Sequence, residues 1–95
     1  MKTYYVYILA NKKNGTLYVG VTSNLSQRID QHTDKVVEGF TSKYDIKKLV
    51  YVEQANNVEE AIYREKQLKH WNRAWKIELI EKENPDWKDL MNDLL

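Results

Sequence analysis

The fold is decided by residues 4–21, which read YYVYILANKKNGTLYVGV. Two runs within this stretch, Tyr4–Leu9 and Leu17–Val21, are rich in aromatic and β-branched residues and are typical of strands. Between them, Asn14-Gly15 is a strong signal for a tight turn, because both residue types tolerate the backbone angles that such turns require. The stretch therefore predicts an antiparallel β-hairpin.

The turn also predicts which side chains share a face of the sheet. A two-residue turn on Asn14-Gly15 pairs Tyr7 with Thr22, and residues alternate between faces along each strand. Tyr7 and Tyr18 then lie on the same face, while the opposite face is nearly all apolar and is predicted to be core. Tyrosine is common in strands, so this pair is either an ordinary sheet feature or a functional pair.

The rest of the chain alternates helical patterns with one further strand. We predict a helix of roughly ten residues after the capping group Thr22–Asn24, a loop over residues 33–46, a strand over Lys48–Glu53, and helices over Val58–His70, from Asn72 to about Lys82, and from Asn84-Pro85 onward. The pattern predicts the α+β class: a small antiparallel sheet flanked by helices, in one domain over residues 1–95.

Composition excludes several classes of protein. Among 95 residues there is no cysteine, which excludes disulfides, thiolate zinc sites and cysteine nucleophiles. The only histidines are His32 and His70, too few for a histidine-built metal cage. No apolar run approaches the roughly twenty residues of a membrane span, and the first residues do not resemble a signal peptide. We expect a cytoplasmic protein without a membrane partner.

Charge is unevenly distributed although the net charge is only +1. Residues 62–76 hold five Lys or Arg and one Glu, interleaved with Trp71 and Trp75, whereas residues 77–95 are acidic. The basic stretch is either a solvated helix face or a surface that follows a phosphate backbone and stacks bases. The candidate nucleic-acid-binding residues are Arg64, Lys66, Lys69, Arg73 and, in the loop, Lys43. That loop either folds over a bound strand or is an ordinary connection.

Two further patterns are typical of phosphodiester chemistry. Arg28 and His32 lie one helical turn apart, where a guanidinium can bind a phosphate and an imidazole can move a proton. Alternatively, they are a surface pair at the edge of the core. Glu65 falls inside the apolar stripe of its helix, where an unpaired carboxylate is costly. It therefore needs a cationic partner such as Arg28 or a lysine, a proton, or a metal such as Mg²⁺.

Together these residues resemble the GIY-YIG nuclease superfamily, most closely its small stand-alone bacterial members. The resemblance runs essentially end to end, through Val6-Tyr7-Ile8, Tyr18-Val19-Gly20, Arg28, His32 and Glu65 in the Arg64-Glu65-Lys66-Gln67-Leu68-Lys69-His70-Trp71 stretch, to Asn84-Pro85-Asp86-Trp87. Each motif alone is weak, but their order and spacing are specific. Departures are Tyr5 and Val19 at positions of the family name, and Val21 where some relatives carry a lysine that helps to deprotonate the second tyrosine.

The resemblance implies a three-stranded sheet with a DNA-cleaving site on one face. It implies that Tyr7 or Tyr18 orients or deprotonates the attacking water, Arg28 stabilises the developing charge, His32 assists proton transfer, and Glu65 holds Mg²⁺ or Mn²⁺. The expected substrate is DNA that is branched, nicked or single-stranded, with a second copy of the chain or a larger repair complex as further partners. The alternative is a nucleic-acid-binding module that has the nuclease fold but little intrinsic cleavage.

Overall fold

A computed structural model of the chain describes residues 2–33 and 46–91. In chain order these residues form β1 (Tyr4–Ala10), β2 (Leu17–Thr22), α1 (Leu25–Thr33), β3 (Lys48–Ala55), α2 (Val58–His70) and α3 (Arg73–Glu83). Within this part of the chain, the strands form one three-stranded antiparallel sheet in the order β2-β1-β3, with helices packed on both faces. The predicted α+β class is confirmed. No helix in the same ranges is long and apolar enough to cross a membrane.

The hairpin register differs from the prediction by two residues. Tyr7 lies opposite Gly20 instead of Thr22, and Leu9 lies opposite Tyr18. The reason is a longer connection than a two-residue turn: the backbone N–H of Gly15 bonds to the carbonyl of Lys12 at 2.9 Å, and the strands end at Ala10 and Leu17. A shift of two residues keeps each side chain on its predicted face.

The central strand β1 is packed from both sides, since its residues from Val6 to Ala10 have no exposed surface. On one face Val6, Ile8 and Ala10 pack against α2 and α3, with Leu68 and Ile80 among the contacts. On the opposite face, a second apolar cluster consists of Tyr7, Leu9, Leu25, Ile29, Ile46 and Leu49. The face that carries Tyr7 is therefore partly covered by α1.

The helices begin where the sequence places capping side chains. The side-chain oxygens of Asn24, Asn57 and Asn72 accept hydrogen bonds from backbone N–H groups at 3.1, 2.9 and 2.9 Å, three residues further on in each case. These bonds satisfy donors that have no partner inside the helix. The predicted extents of α2 and α3 are thus confirmed within one residue. β3 continues two residues beyond the predicted strand, to Ala55.

The predicted helix start at Asn84-Pro85 is wrong, because residues 84–90 form turns and irregular backbone; in the described part of the chain, the next helical residue after α3 is Met91. The buried Asn84 amide donates to the carbonyls of Val50 and Lys88 at 3.1 and 2.9 Å. The Asn84 side chain therefore ties this segment to β3 instead of capping a helix. Trp87 adopts φ 55°, is fully buried, and donates its indole N–H to Glu81 at 2.7 Å.

The outer face of α2 also departs from the predicted pattern. Ile62, which the helical spacing placed in the apolar stripe, is 39% exposed, and Tyr63 is 62% exposed. The residues of α2 that are buried are Ala61 and Leu68. The inward face is therefore narrower than predicted and is centred between these two residues, close to the position of Glu65.

Candidate active site

Tyr7 is held in place by its neighbour across the hairpin. Its phenol ring lies over Gly20, where a Cβ atom would come within 2.5 Å of the Tyr7 Cζ atom. Real Cβ atoms are not found so close to another heavy atom, so only glycine at this position leaves room for the ring. Glycine generally weakens a strand, but Gly20 in β2 provides the space that the Tyr7 ring from β1 occupies.

Arg28 joins the two tyrosines. Helix α1 follows directly from β2 and brings the Arg28 side chain onto the face that carries Tyr7 and Tyr18. Its Nε donates a hydrogen bond to the Tyr7 hydroxyl at 3.3 Å, and it also interacts with Tyr18. The two phenol rings lie 6.4 Å apart, tilted by 40°. The predicted grouping of Tyr7, Tyr18 and Arg28 is what the structure contains.

The environment gives the two phenols different properties. Burial raises the pKa of Tyr7; the hydrogen bond from Arg28 opposes this increase, whereas the nearby Tyr18 and Glu65 add to it. Tyr7 therefore stays protonated at neutral pH. The hydrogen bond with Tyr7 raises the pKa of Arg28, so the guanidinium stays charged. Tyr18 is half-buried, whereas Tyr7 has no exposed surface. Tyr18 is thus the phenol within reach of solvent.

Glu65 lies on α2 close enough to act electrostatically on Tyr7. Its side chain is 16% exposed, and one carboxylate oxygen lies 3.4 Å from Nζ of Lys69, whose side chain is 52% exposed. A pair with so exposed a lysine contributes little and is easily exchanged for another cation. Of the partners considered from the sequence, the structure therefore contains a lysine, not Arg28.

The donor set fits a hard cation with few protein ligands. Among residues 2–33 and 46–91, no three His, Cys, Asp or Glu side chains lie close enough to form a metal cage. Mg²⁺ keeps several of its waters and binds through one or two carboxylates plus substrate phosphate oxygens. A single, partly exposed carboxylate that acts electrostatically on Tyr7 is compatible with that requirement, so Glu65 is the described residue that could hold such an ion.

Two predicted residues cannot be placed in the site. His32 lies on α1, but its side chain is outside the described part of the structure. Lys43, like all of residues 34–45, is also outside the described residues, so the loop predicted over residues 33–46 stays a prediction. Their expected roles in proton transfer and nucleic-acid binding stay predictions.

The basic stretch of residues 62–76 is divided between several environments. Arg64 donates from Nε to both carboxylate oxygens of Glu53, at 3.1 and 3.2 Å, and lies over the Trp71 ring at 5.2 Å. Lys66 is exposed on α2, and Lys69 is paired with Glu65 as described above. Arg73 at the start of α3 contacts the β1–β2 hairpin instead. The structure therefore does not gather these residues into one strip.

Comparison with known proteins assigns the chain to a family. The model of the GIY-YIG catalytic domain matches residues 3–78, a range that contains Tyr7, Tyr18, Arg28, His32 and Glu65. The chain belongs to the GIY-YIG family. This confirms the resemblance derived from the motifs, and it places the protein in a superfamily of nucleases.

Relatives of similar length support the same assignment. The chain is 37% identical over 87 residues to a UPF0213 protein of Syntrophus aciditrophicus, covering 90% of this chain and 98% of that one. It is 41% identical over 76 residues to a UPF0213 protein of Clostridium perfringens, covering 80% and 81%. The solution NMR structure of the UPF0213 protein of Bacillus halodurans superimposes with a TM-score of 0.56 at 26% identity, covering 95% of both chains. This GIY-YIG domain is thus similar to small proteins over nearly their whole length.

Proposed function

We propose that this GIY-YIG protein is a divalent-metal-dependent endonuclease that hydrolyses phosphodiester bonds of DNA. The observation that carries the proposal is the position of Arg28, a charged guanidinium in contact with the phenols of Tyr7 and Tyr18. Glu65 acts electrostatically on Tyr7 from α2. A cation, a hydroxyl that reaches solvent and a carboxylate are the components that phosphodiester hydrolysis requires.

Each side chain has a role that follows from its surroundings. The Arg28 guanidinium binds a non-bridging oxygen of the phosphate and stabilises the charge that develops there during attack. Tyr18, the half-buried phenol, orients the attacking water by a hydrogen bond. Tyr7 is a positioning residue, because its raised pKa keeps it neutral and its hydroxyl accepts a bond from Arg28.

Glu65 would hold Mg²⁺ or Mn²⁺ against the phosphate. When bound, the ion supplies Lewis-acid polarisation of the phosphate and neutralises charge on the leaving oxygen. The exposed Lys69 is the counter-ion that occupies the carboxylate otherwise, at 3.4 Å. We propose that the structure of the DNA, such as a branch, nick or single-stranded region, directs cleavage.

The decisive experiment replaces one atom of the metal ligand. Glu65→Gln keeps the shape of the side chain and removes its charge, so we expect cleavage to fall on the order of 100-fold or more with Mg²⁺ or Mn²⁺. The assay follows cutting of labelled branched, nicked, single-stranded and duplex DNA. Glu59→Gln, an exposed glutamate on the same helix, is the matched control and should cut like the parent. Equal rates for Glu65→Gln and the parent refute the metal role.

The same assay separates the two phenols. Tyr18→Phe should lower the rate constant for cleavage at saturating DNA, because it removes the hydroxyl that orients water. Tyr7→Phe should have a smaller effect, since Arg28 loses a hydrogen-bond partner but keeps its charge. If both variants cut like the parent, neither tyrosine takes part. If no variant and no substrate shows cleavage while DNA still binds, the chain is a binding module.

A further inference from the structure

A cleft of about 590 Å³ lies between the β1–β2 hairpin and the start of α3, apart from the tyrosine face of the sheet. Hairpin residues 14–17 form one side. Lys12 reaches the cleft from the hairpin, and Arg73 and Lys76 reach it from the first turns of α3. Arg73 and Lys76 belong to the basic stretch of residues 62–76, whereas Lys12 is distant in sequence and joins them only in the folded chain.

The charge in this cleft is positive and uncompensated. Lys12, Arg73 and Lys76 line it, and no carboxylate does. Within the described residues, none of the three forms an ion pair with Asp or Glu, whereas Arg64 and Lys69 do. Burial lowers the pKa of Lys76, and the charge of Arg73 lowers it further. Two like charges held this close indicate a site that an anion would stabilise.

The cleft is also held in shape by hydrogen bonds between its two sides. Nη2 of Arg73 donates to the backbone carbonyls of Asn14 and Gly15 at 2.6 and 2.5 Å. Lys76 donates to the carbonyl of Lys69 at 3.4 Å, a weak bond that leaves its ammonium near the cleft. Because the walls are fixed before a ligand arrives, binding does not have to order them.

We propose that this cleft binds a phosphodiester group of the nucleic-acid strand that the active site cuts. The inference rests on the proposed function. Leu17 lines the cleft, and Tyr18 follows it in β2 on the other face of the sheet. The cleft and the candidate active site therefore lie on the two sides of the same edge strand, near its hairpin end. From Leu17 to Gly20 is roughly 10 Å along a strand. That distance is about three rises of 3.4 Å along the DNA axis, so the bound phosphate lies a few nucleotides from the one that is cut.

The test measures binding without cleavage, so that its result does not depend on hydrolysis. Lys12→Gln/Lys76→Gln is compared with Lys13→Gln/Lys82→Gln, which removes the same charge from the same hairpin and helix outside the cleft. Affinity for a fluorescent DNA duplex is measured in EDTA over a range of salt concentrations. We expect the slope of log affinity against log salt to fall by about 0.9, the value for one phosphate contact, with about tenfold weaker binding at low salt. The control should keep the parent's slope.

Equal slopes for the two double variants overturn the inference, even if the parent cuts DNA. Unchanged cleavage by Glu65→Gln, together with the expected slope change, counts against the proposed function alone. A second arm titrates inorganic phosphate and the duplex separately and follows the backbone amide NMR signals of residues 11–17 and 72–76. Shifts with phosphate but not with DNA identify a small-anion site and overturn the proposal. Lys76 is half-buried, so the double variant that changes it could fail to fold. In that case the same comparison of slopes is made between Lys12→Gln and Lys13→Gln, which change exposed residues.

Discussion

Gly20→Ala should disrupt the site, although Gly20 itself carries no charged or reacting group. The new methyl group would lie 2.5 Å from Cζ and 3.0 Å from Cε1 of Tyr7. The backbone at Gly20 is not in the left-handed region, so alanine itself meets no conformational strain there. The whole effect therefore comes from the collision with Tyr7.

The magnitude follows from the burial of the ring. Tyr7 has no exposed surface, so it cannot swing into solvent, and either the ring or the edge strand must move. Overpacking of this kind costs about 1–3 kcal/mol. For a domain of this size, a loss of about 2 kcal/mol corresponds to roughly 8–16 °C in Tm. Movement of the ring also breaks the bond from Arg28, so cleavage should fall together with stability.

Thermal and urea unfolding, with the DNA cleavage assay, measure both effects. The double variant Tyr7→Phe/Gly20→Ala removes the hydroxyl, one of the atoms that the methyl group meets, and should recover part of the stability lost by Gly20→Ala alone. If the two substitutions change the stability additively, or if Gly20→Ala keeps the parent's Tm and activity, then Gly20 is not what makes room for the Tyr7 ring.

Three other predictions concern the supporting structure. The Tyr51 hydroxyl donates to Glu53 at 2.8 Å, and burial together with that bond raises the pKa of Tyr51 to about 12. The stability that Tyr51 contributes is therefore complete below pH 10 and is lost as the pH rises from about 10 to 12. Urea unfolding across this range should show a loss on the order of 2 kcal/mol that Tyr51→Phe reduces. Asn84→Ala leaves the buried carbonyl of Val50 without its donor and should cost about 2–3 kcal/mol in the free energy of unfolding by urea. Arg64→Lys loses the contact with both Glu53 oxygens and should cost about 1 kcal/mol in the same measurement, with unchanged cleavage of DNA.

The tyrosine pair could be predicted from sequence because it depends only on the alternation of side chains between the two faces of a strand. A hairpin register that is wrong by two residues still places Tyr7 and Tyr18 on one face, since side chains repeat every two residues. The helix caps could be predicted for a similar reason, at Asn56 or Asn57 for α2 and at Asn72 for α3, because a cap depends only on its own first helical turn. In the structure the caps are Asn57 and Asn72.

The positions that could not be predicted depend on contacts between distant segments. Asn84 has the local pattern of a helix start, but its amide is bound to Val50 in β3, and that long-range bond overrides the local preference. Ile62 has the spacing of a core residue, yet α2 turns it outward because Ala61 and Leu68 define the inward face. Helical spacing gives a period but not the width of the buried face.

The complete burial of β1 from Val6 to Ala10 affects which parts of the protein can open to solvent. The amide hydrogens of this strand are bonded to neighbours on both sides and shielded above and below, so their exchange with solvent deuterium should need opening of the whole molecule. Tyr7 belongs to that slowest-exchanging unit, whereas Tyr18 belongs to an edge strand that can fray. The site therefore combines Tyr7, on the strand expected to exchange most slowly, with Tyr18, on an edge strand expected to open more readily.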